Sequence, residues 1–157
     1  MKEIKLSDYG KKKKVKGQYV TFVDDDDFDY LTQRNWSYLG GYAKGRDELK
    51  NTVYMHRVIM KATKGFEVDH IDGNKLNNQK SNLRICTSAE NKMNKGAQRN
   101  NKSGYKGVCW NSKTNKWQAQ IKANRVLHNI GFFSSKEEAY AAYCKAAEEL
   151  HGQFAHV

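Results

Sequence analysis

The chain has 157 residues, enough for one domain or two small ones, and its 38% hydrophobic content permits only modest cores. Its 28 Lys and Arg against 17 Asp and Glu give a formal net charge of +11, which favours a polyanionic partner without naming it. No run approaches the roughly 18 apolar residues of a membrane span and no secretory apolar core opens the chain, so a cytoplasmic protein without a membrane partner is expected. Cys86, Cys109 and Cys144 are odd in number, widely spaced and lack a CxxC pair, so neither a disulfide framework nor a zinc ribbon is indicated.

In chain order, the basic Lys11–Lys14 run reads as phosphate contact or solubility, and Val15–Val23 alternates as a strand does. The acidic run Asp24–Asp27 reads as the N-terminus of a short helix reaching about Arg34, where negative charge opposes the helix dipole, with metal chelation as the alternative. Residues 37–44 and 52–55 resemble a hairpin. His56 precedes an apolar run and lacks a second ligand at metal spacing, so it reads as structural.

Residues 69–91, DHIDGNKLNNQKSNLRICTSAEN, carry the chemistry. Val68–Ile71 alternates as a short strand, Asp72-Gly73 signals a reversal, and Asn82–Cys86 is a second extended run. Thr87 or Ser88 then offers an N-cap, with Glu90 in the first helical turn and Asn91 about one turn in. Two strands and a helix thus bring Asp69, His70 and Asn91 toward one point. Phosphodiester hydrolysis needs a deprotonated water, and a neutral histidine, His70, can accept its proton at cellular pH. The Asp69 carboxylate and the Asn91 side-chain carbonyl are hard oxygen ligands, suited to one divalent ion, Mg2+ or Mn2+, rather than zinc. Asn82 can hydrogen-bond loop backbone and fix the angle at which His70 is presented. Arg57 and Arg84 can reach phosphate or form ion pairs at the surface or core edge.

From residue 53 to 95 this pattern resembles the HNH family of ββα-metal nucleases, in the subgroup of phage and intron homing endonucleases whose last motif histidine is an asparagine. The resemblance implies that Asp69 and Asn91 bind metal, that His70 is the general base and that Asn82 is the structural asparagine. It also implies a phage or mobile-element origin in a bacterial cytoplasm.

Residues 96–104, GAQRNNKSG, read as a linker or an arm along DNA. Three strands are expected over 105–110, 116–123 and 126–133, then a helix capped by Ser134 or Ser135 and closed by Gly152. From Asn91 to Lys136 there are ten Lys or Arg and no acid, interleaved with Tyr105, Trp110 and Trp117, which suits phosphate contact beside aromatic packing. The strand and helix signatures YKGV, KWQAQI, IGFF and EEAYAAYCKAAEELHG resemble the plant-type Apetala-two DNA-binding domain over 103–152. By that resemblance Lys106, Trp110, Lys113, Gln120 and Lys122 face DNA. Ala119, Ile121, Phe132, Tyr140 and Tyr143 read as core, and Trp117 as core before contact. Lys106 and Lys122 stand where that family often has arginine, and a lysine point charge reads guanine less sharply than an arginine fork.

The expected fold class is α+β: a ββα-metal module followed by a three-stranded antiparallel sheet packed on one helix. The expected division is a support region with nuclease module over 1–95, a linker over 96–104 and a DNA-binding domain over 105–157. The expected function is a homing-type endonuclease that nicks double-stranded DNA as a monomer. The alternatives are a non-catalytic DNA-binding regulator with a degenerate nuclease module, and an RNA-binding protein.

Overall fold

Alternating apolar residues in the first segment build a sheet with one buried face. In the computed structural model, which describes residues 1–8, 16–97 and 101–155, β1 (Lys2–Asp8) and β2 (Lys16–Val23) pair antiparallel. Ile4, Leu6 and Val23 point into the core. The basic run at 11–14, Val15 and part of the expected linker lie outside the described residues. β3 (Ser37–Leu39) adds to β1 in parallel, and β4 (Tyr42–Arg46) and β5 (Thr52–Tyr54) extend the sheet to the order β2-β1-β3-β4-β5.

The acidic run does open a helix, α1 (Asp25–Thr32), which stops two residues short of the expected end. It does not simply stand in solvent. Asp24 accepts hydrogen bonds from Lys80 N at 2.8 Å and Gln79 Nε2 at 3.3 Å, and buried Asp27 pairs with Lys80 Nζ at 2.7 Å. These aspartates anchor the segment that returns to the candidate site.

A short helix, α2 (Met55–Ile59), leads to β6 (Glu67–His70), which pairs antiparallel with β7 (Leu83–Cys86), and α3 (Ser88–Met93) follows. Thr87 caps α3: its Oγ1 accepts Glu90 N–H at 3.3 Å, while its own N–H and hydroxyl donate to Glu90 Oε2 at 2.7 and 2.8 Å. Gly73, at φ 73°, begins a reversal in which its N–H donates to His70 O at 3.0 Å. The strands are not joined there, because the loop runs on to Asn82. Midway it is stitched to β2, Phe22 N donating to Leu76 O and Asn78 N to Phe22 O, each at 2.8 Å. Val68 and Leu83 of the hairpin share one core with Leu6, Leu31, Trp36, Met55 and Ile59. Full burial of each such side chain contributes about 1.5–3 kcal/mol, so support region and hairpin stabilise one another.

The described residues divide into two compact units, Met1–Asn91 and Lys92–Val157. The division falls inside α3, ahead of the expected linker. Asn101–Gly104 belong to the second unit because Asn101 Nδ2 donates to Tyr105 O at 2.7 Å and Ser103 Oγ lies 2.8 Å from Val108 O. In that unit β8 (Val108–Asn111), β9 (Lys116–Ala123) and β10 (Val126–Phe133) form an antiparallel sheet in the order β10-β9-β8. β8 starts three residues later than expected. At Gly107, φ is 73° and a Cβ would lie 2.2 Å from the Tyr143 ring, so the chain turns there instead of extending. The helix α4 (Lys136–His151) opens on a Ser135–Glu138 capping box, ends at Gly152, and packs Ala139, Tyr143 and Ala147 against Val108, Ala119 and Ile121. The fold class is therefore α+β, a small ββα module followed by a three-stranded sheet on one helix.

Candidate active site

Adjacent residues on a strand point to opposite faces, and β6 divides the candidate site accordingly. Glu67 and Asp69 share one face, opposite Cys86 and Arg84 of β7; Val68 and His70 share the other, opposite Ile85 and Leu83. Asp69 and His70, though adjacent in sequence, therefore point to opposite faces of β6.

His70 is 5% exposed, and its Nε2 lies 3.3 Å from Asn78 Oδ1. The Asn78 amide is oriented by a buried chain of bonds. Thr21 Oγ1 donates to Leu76 O at 2.7 Å, far closer than the 3.9 Å to Met55 Sδ, so its oxygen is an acceptor toward Asn78 Nδ2 at 2.6 Å. Asn78 therefore turns its carbonyl oxygen to His70. An acceptor at Nε2 requires the proton on that nitrogen, which leaves the basic lone pair of the neutral ring on Nδ1. Burial holds the His70 pKa below its ordinary value. His56 packs edge-on to His70 with ring centroids 5.1 Å apart, and Tyr42 flanks both rings. Burial, and then the proximity of His70 and Arg57, push His56 down to about 3. Burial thus favours the neutral form of both imidazoles.

Asn82 makes the loop contacts that its place on the returning strand suggests. Its Oδ1 accepts Asp72 N–H at 3.0 Å, and its Nδ2 donates to Asp72 Oδ1 and Asn77 O, both at 2.9 Å. Its backbone oxygen also accepts Ile71 N–H at 2.9 Å. The loop following His70 is thus closed from both ends of one amide.

On the other face, Arg84 Nε and Nη2 converge on Asp69 Oδ2 at 2.9 and 2.7 Å. Asn91 donates from Nδ2 to Glu67 Oε2 at 2.5 Å. The donors here, the Asp69 carboxylate and Asn91 Oδ1, are hard oxygens of the kind Mg2+ and Mn2+ prefer. Among the described residues no cluster of three or more His, Cys, Asp or Glu side chains forms a metal cage. Two such oxygens, if they met at one ion, would fit one that keeps waters and takes phosphate oxygens, as Mg2+ does.

Arg57 does not face outward to a phosphate: its guanidinium donates to the carbonyls of Phe66, Ala62 and Thr63 at 2.7–3.2 Å, closing the turn after α2. Asn78, Thr21 and Glu67 escape a sequence reading. Asn78 sits in an asparagine-rich loop indistinguishable from ordinary turn chemistry, Thr21 is 57 residues away from it, and Glu67 precedes the motif as an unremarkable strand residue.

In the second unit, Ala119, Ile121 and Ala123 face α4, so Lys116, Gln118, Gln120 and Lys122 alternate onto the open face of β9. Lys113 lies in the turn between β8 and β9. Trp110 shares the face of Val108 and meets Trp117 edge-on at 5.2 Å, half-exposed, rather than standing with Gln120 and Lys122. Lys106 is half-buried, donates to Met93 O, and is pushed down to about 8 by burial. With Lys92, Lys95 and Lys102 it lines an open groove of about 970 Å³ beside the two tryptophans.

The hairpin, its closing asparagine and the capped helix coincide with residues 53–93, over which the chain matches the HNH endonuclease family. L560, an uncharacterized HNH endonuclease of Acanthamoeba polyphaga mimivirus, is 34% identical over 146 residues, which cover 89% of this chain and 74% of that protein. Protein 3.8 of Escherichia phage T7 is 39% identical over 94 residues, 59% of this chain and 75% of that protein. YosQ of Bacillus subtilis (strain 168), a prophage-derived protein whose name carries the words HNH homing endonuclease, is 34% identical over 86 residues, 52% of this chain and 44% of its own. No solved structure gives a significant match. The chain belongs to the HNH endonuclease family. Nucleases of this family generally act on DNA with a divalent metal ion.

Proposed function

We propose that the protein is a metal-dependent endonuclease that nicks double-stranded DNA. The observation that carries this reading is the oriented His70, whose Nε2 is held by Asn78 and whose neighbour in the strand is Asp69. His70 takes a proton from the attacking water at Nδ1, while Asn78 accepts the Nε2–H hydrogen bond and steadies the imidazolium that forms. Asn82 keeps the loop closed and thereby the angle of His70. Asp69 and Asn91 would hold one Mg2+ or Mn2+, and the bound ion would supply charge stabilisation for the scissile phosphate and the leaving 3′ oxygen. Arg84 orients the Asp69 carboxylate.

The second unit serves as the DNA reader, a role supported by the acid-free stretch from Asn91 to Lys136 and by Lys116, Gln120 and Lys122 on the open sheet face. The Apetala-two resemblance supports placing that face in the major groove. YosQ carries the homing designation in its name, and a homing-type role is proposed here with it. The competing reading is a DNA-binding regulator with an inert nuclease unit, and the Asp69–Arg84 pair favours it, because an arginine already balances the metal-ligand charge.

Cleavage of a supercoiled plasmid in Mg2+ or Mn2+ discriminates the two. The nuclease reading expects nicking by the wild type, arrest by excess chelator and strong loss in Asp69→Ala and Asn91→Ala; full activity in chelator contradicts the metal assignment, and binding without nicking supports the regulator.

A further inference from the structure

An asparagine is an ambiguous metal ligand. Its amide oxygen and nitrogen are nearly identical in shape, yet one attracts a cation and the other repels it. Turned the wrong way, Asn91 would present an NH2 group to the ion. Something must therefore choose the amide orientation.

We propose that Glu67 is the positioning residue for Asn91: its carboxylate holds the Asn91 Nδ2 and so turns Oδ1, on the opposite edge of the amide, into the ligand atom. The inference rests on the reading of Asn91 as a metal ligand. Glu67 Oε2 and Asn91 Nδ2 are 2.5 Å apart, across 24 residues of chain. A charged carboxylate can only accept, so the bond fixes which edge of the amide faces the strand. Glu67 lies two residues before Asp69 on the same face of β6, and Asn91 of α3 meets that face at Glu67. The first turn of α3 holds Asn91 from the other side, its N–H donating to Thr87 O at 3.0 Å. Loss of a group that orients a metal ligand typically weakens metal affinity by about 10–100-fold.

The test is Mn2+ binding to the full chain, followed by paramagnetic resonance titration, with thermal unfolding as the check on folding. Glu67→Leu is expected to weaken Mn2+ about 10–100-fold, and Glu67→Gln less, because its amide oxygen can still accept from Asn91. Asn91→Asp places two carboxylates against one another, and adding Glu67→Gln supplies a donor to the new carboxylate. The double variant is therefore expected to bind Mn2+ more tightly than Asn91→Asp alone. If Asn91→Ala destroys Mn2+ binding while Glu67→Leu, still folded, leaves it intact, Asn91 is a ligand that needs no positioning and the proposal falls. Equal losses in Glu67→Gln and Glu67→Leu, with no gain in the double variant, make Glu67 itself a ligand and also overturn it. Unchanged affinity in Asn91→Ala instead removes the ligand reading on which the proposal rests.

Discussion

His70 and His56 lie against one another in the interior, where burial raises the cost of the charged form of each. For His56 the folded pKa, about 3, lies below the ordinary 6.5. The unfolded chain therefore binds the proton first as pH falls. Stability is fully present above about pH 6.5 and is lost progressively from there toward about pH 3, at ~1.4 kcal/mol per pH unit for one such histidine. Burial shifts His70 in the same direction and adds to the effect. Urea unfolding at pH 7 and pH 5 should show a smaller loss on acidification in His56→Phe than in the wild type; identical losses would remove His56 as the source.

At the scale of elements, the site is a strand, a loop and a capped helix, and these were legible to different degrees. The Asp69-His70 strand, the Asn82 return and the Thr87–Glu90 cap were readable because each rests on local chemistry: alternation, a loop-bonding amide, a side chain three residues from its partner. In the second unit β9, β10 and the Ser135 cap fall at their expected places for the same reason. What pattern alone left out is non-local. The acidic run was readable as a helix start, but not as the anchor of Lys80, 53 residues further on. The Asp72-Gly73 reversal was readable, but not the stitching of the following loop to β2, since backbone bonds to a distant strand leave no mark in composition. Trp110 shows a limit of another kind: position by resemblance placed it with the DNA-facing set, whereas the register of β8 puts it beside Trp117 on the Val108 face.

For the whole molecule, the proposed function assigns cutting to the unit Met1–Asn91 and most of the grip on DNA to the unit Lys92–Val157. L560 matches 89% of the chain, so that similarity extends past the nuclease motif into the second unit. A chain ending at Gly96 should lose affinity and target selection more than intrinsic chemistry. Its log–log salt dependence should flatten by ~0.9 for each phosphate contact removed. Equal affinity and equal salt slope for the full and shortened chains would refute the division. One DHID segment and one EN helix occur in 157 residues, so on the proposed reading a monomer would have one centre to align with one phosphate at a time and should act as a nickase.

The proposed nuclease depends above all on His70 activating the water. The most direct measurement is a time course of supercoiled plasmid cleavage in Mg2+ by the wild type and His70→Ala, with plasmid affinity measured alongside. Open circles should accumulate before linear product in the wild type, and His70→Ala should nick ~10²–10⁴-fold more slowly while binding the plasmid equally well. Nicking by His70→Ala at the wild-type rate would contradict the account.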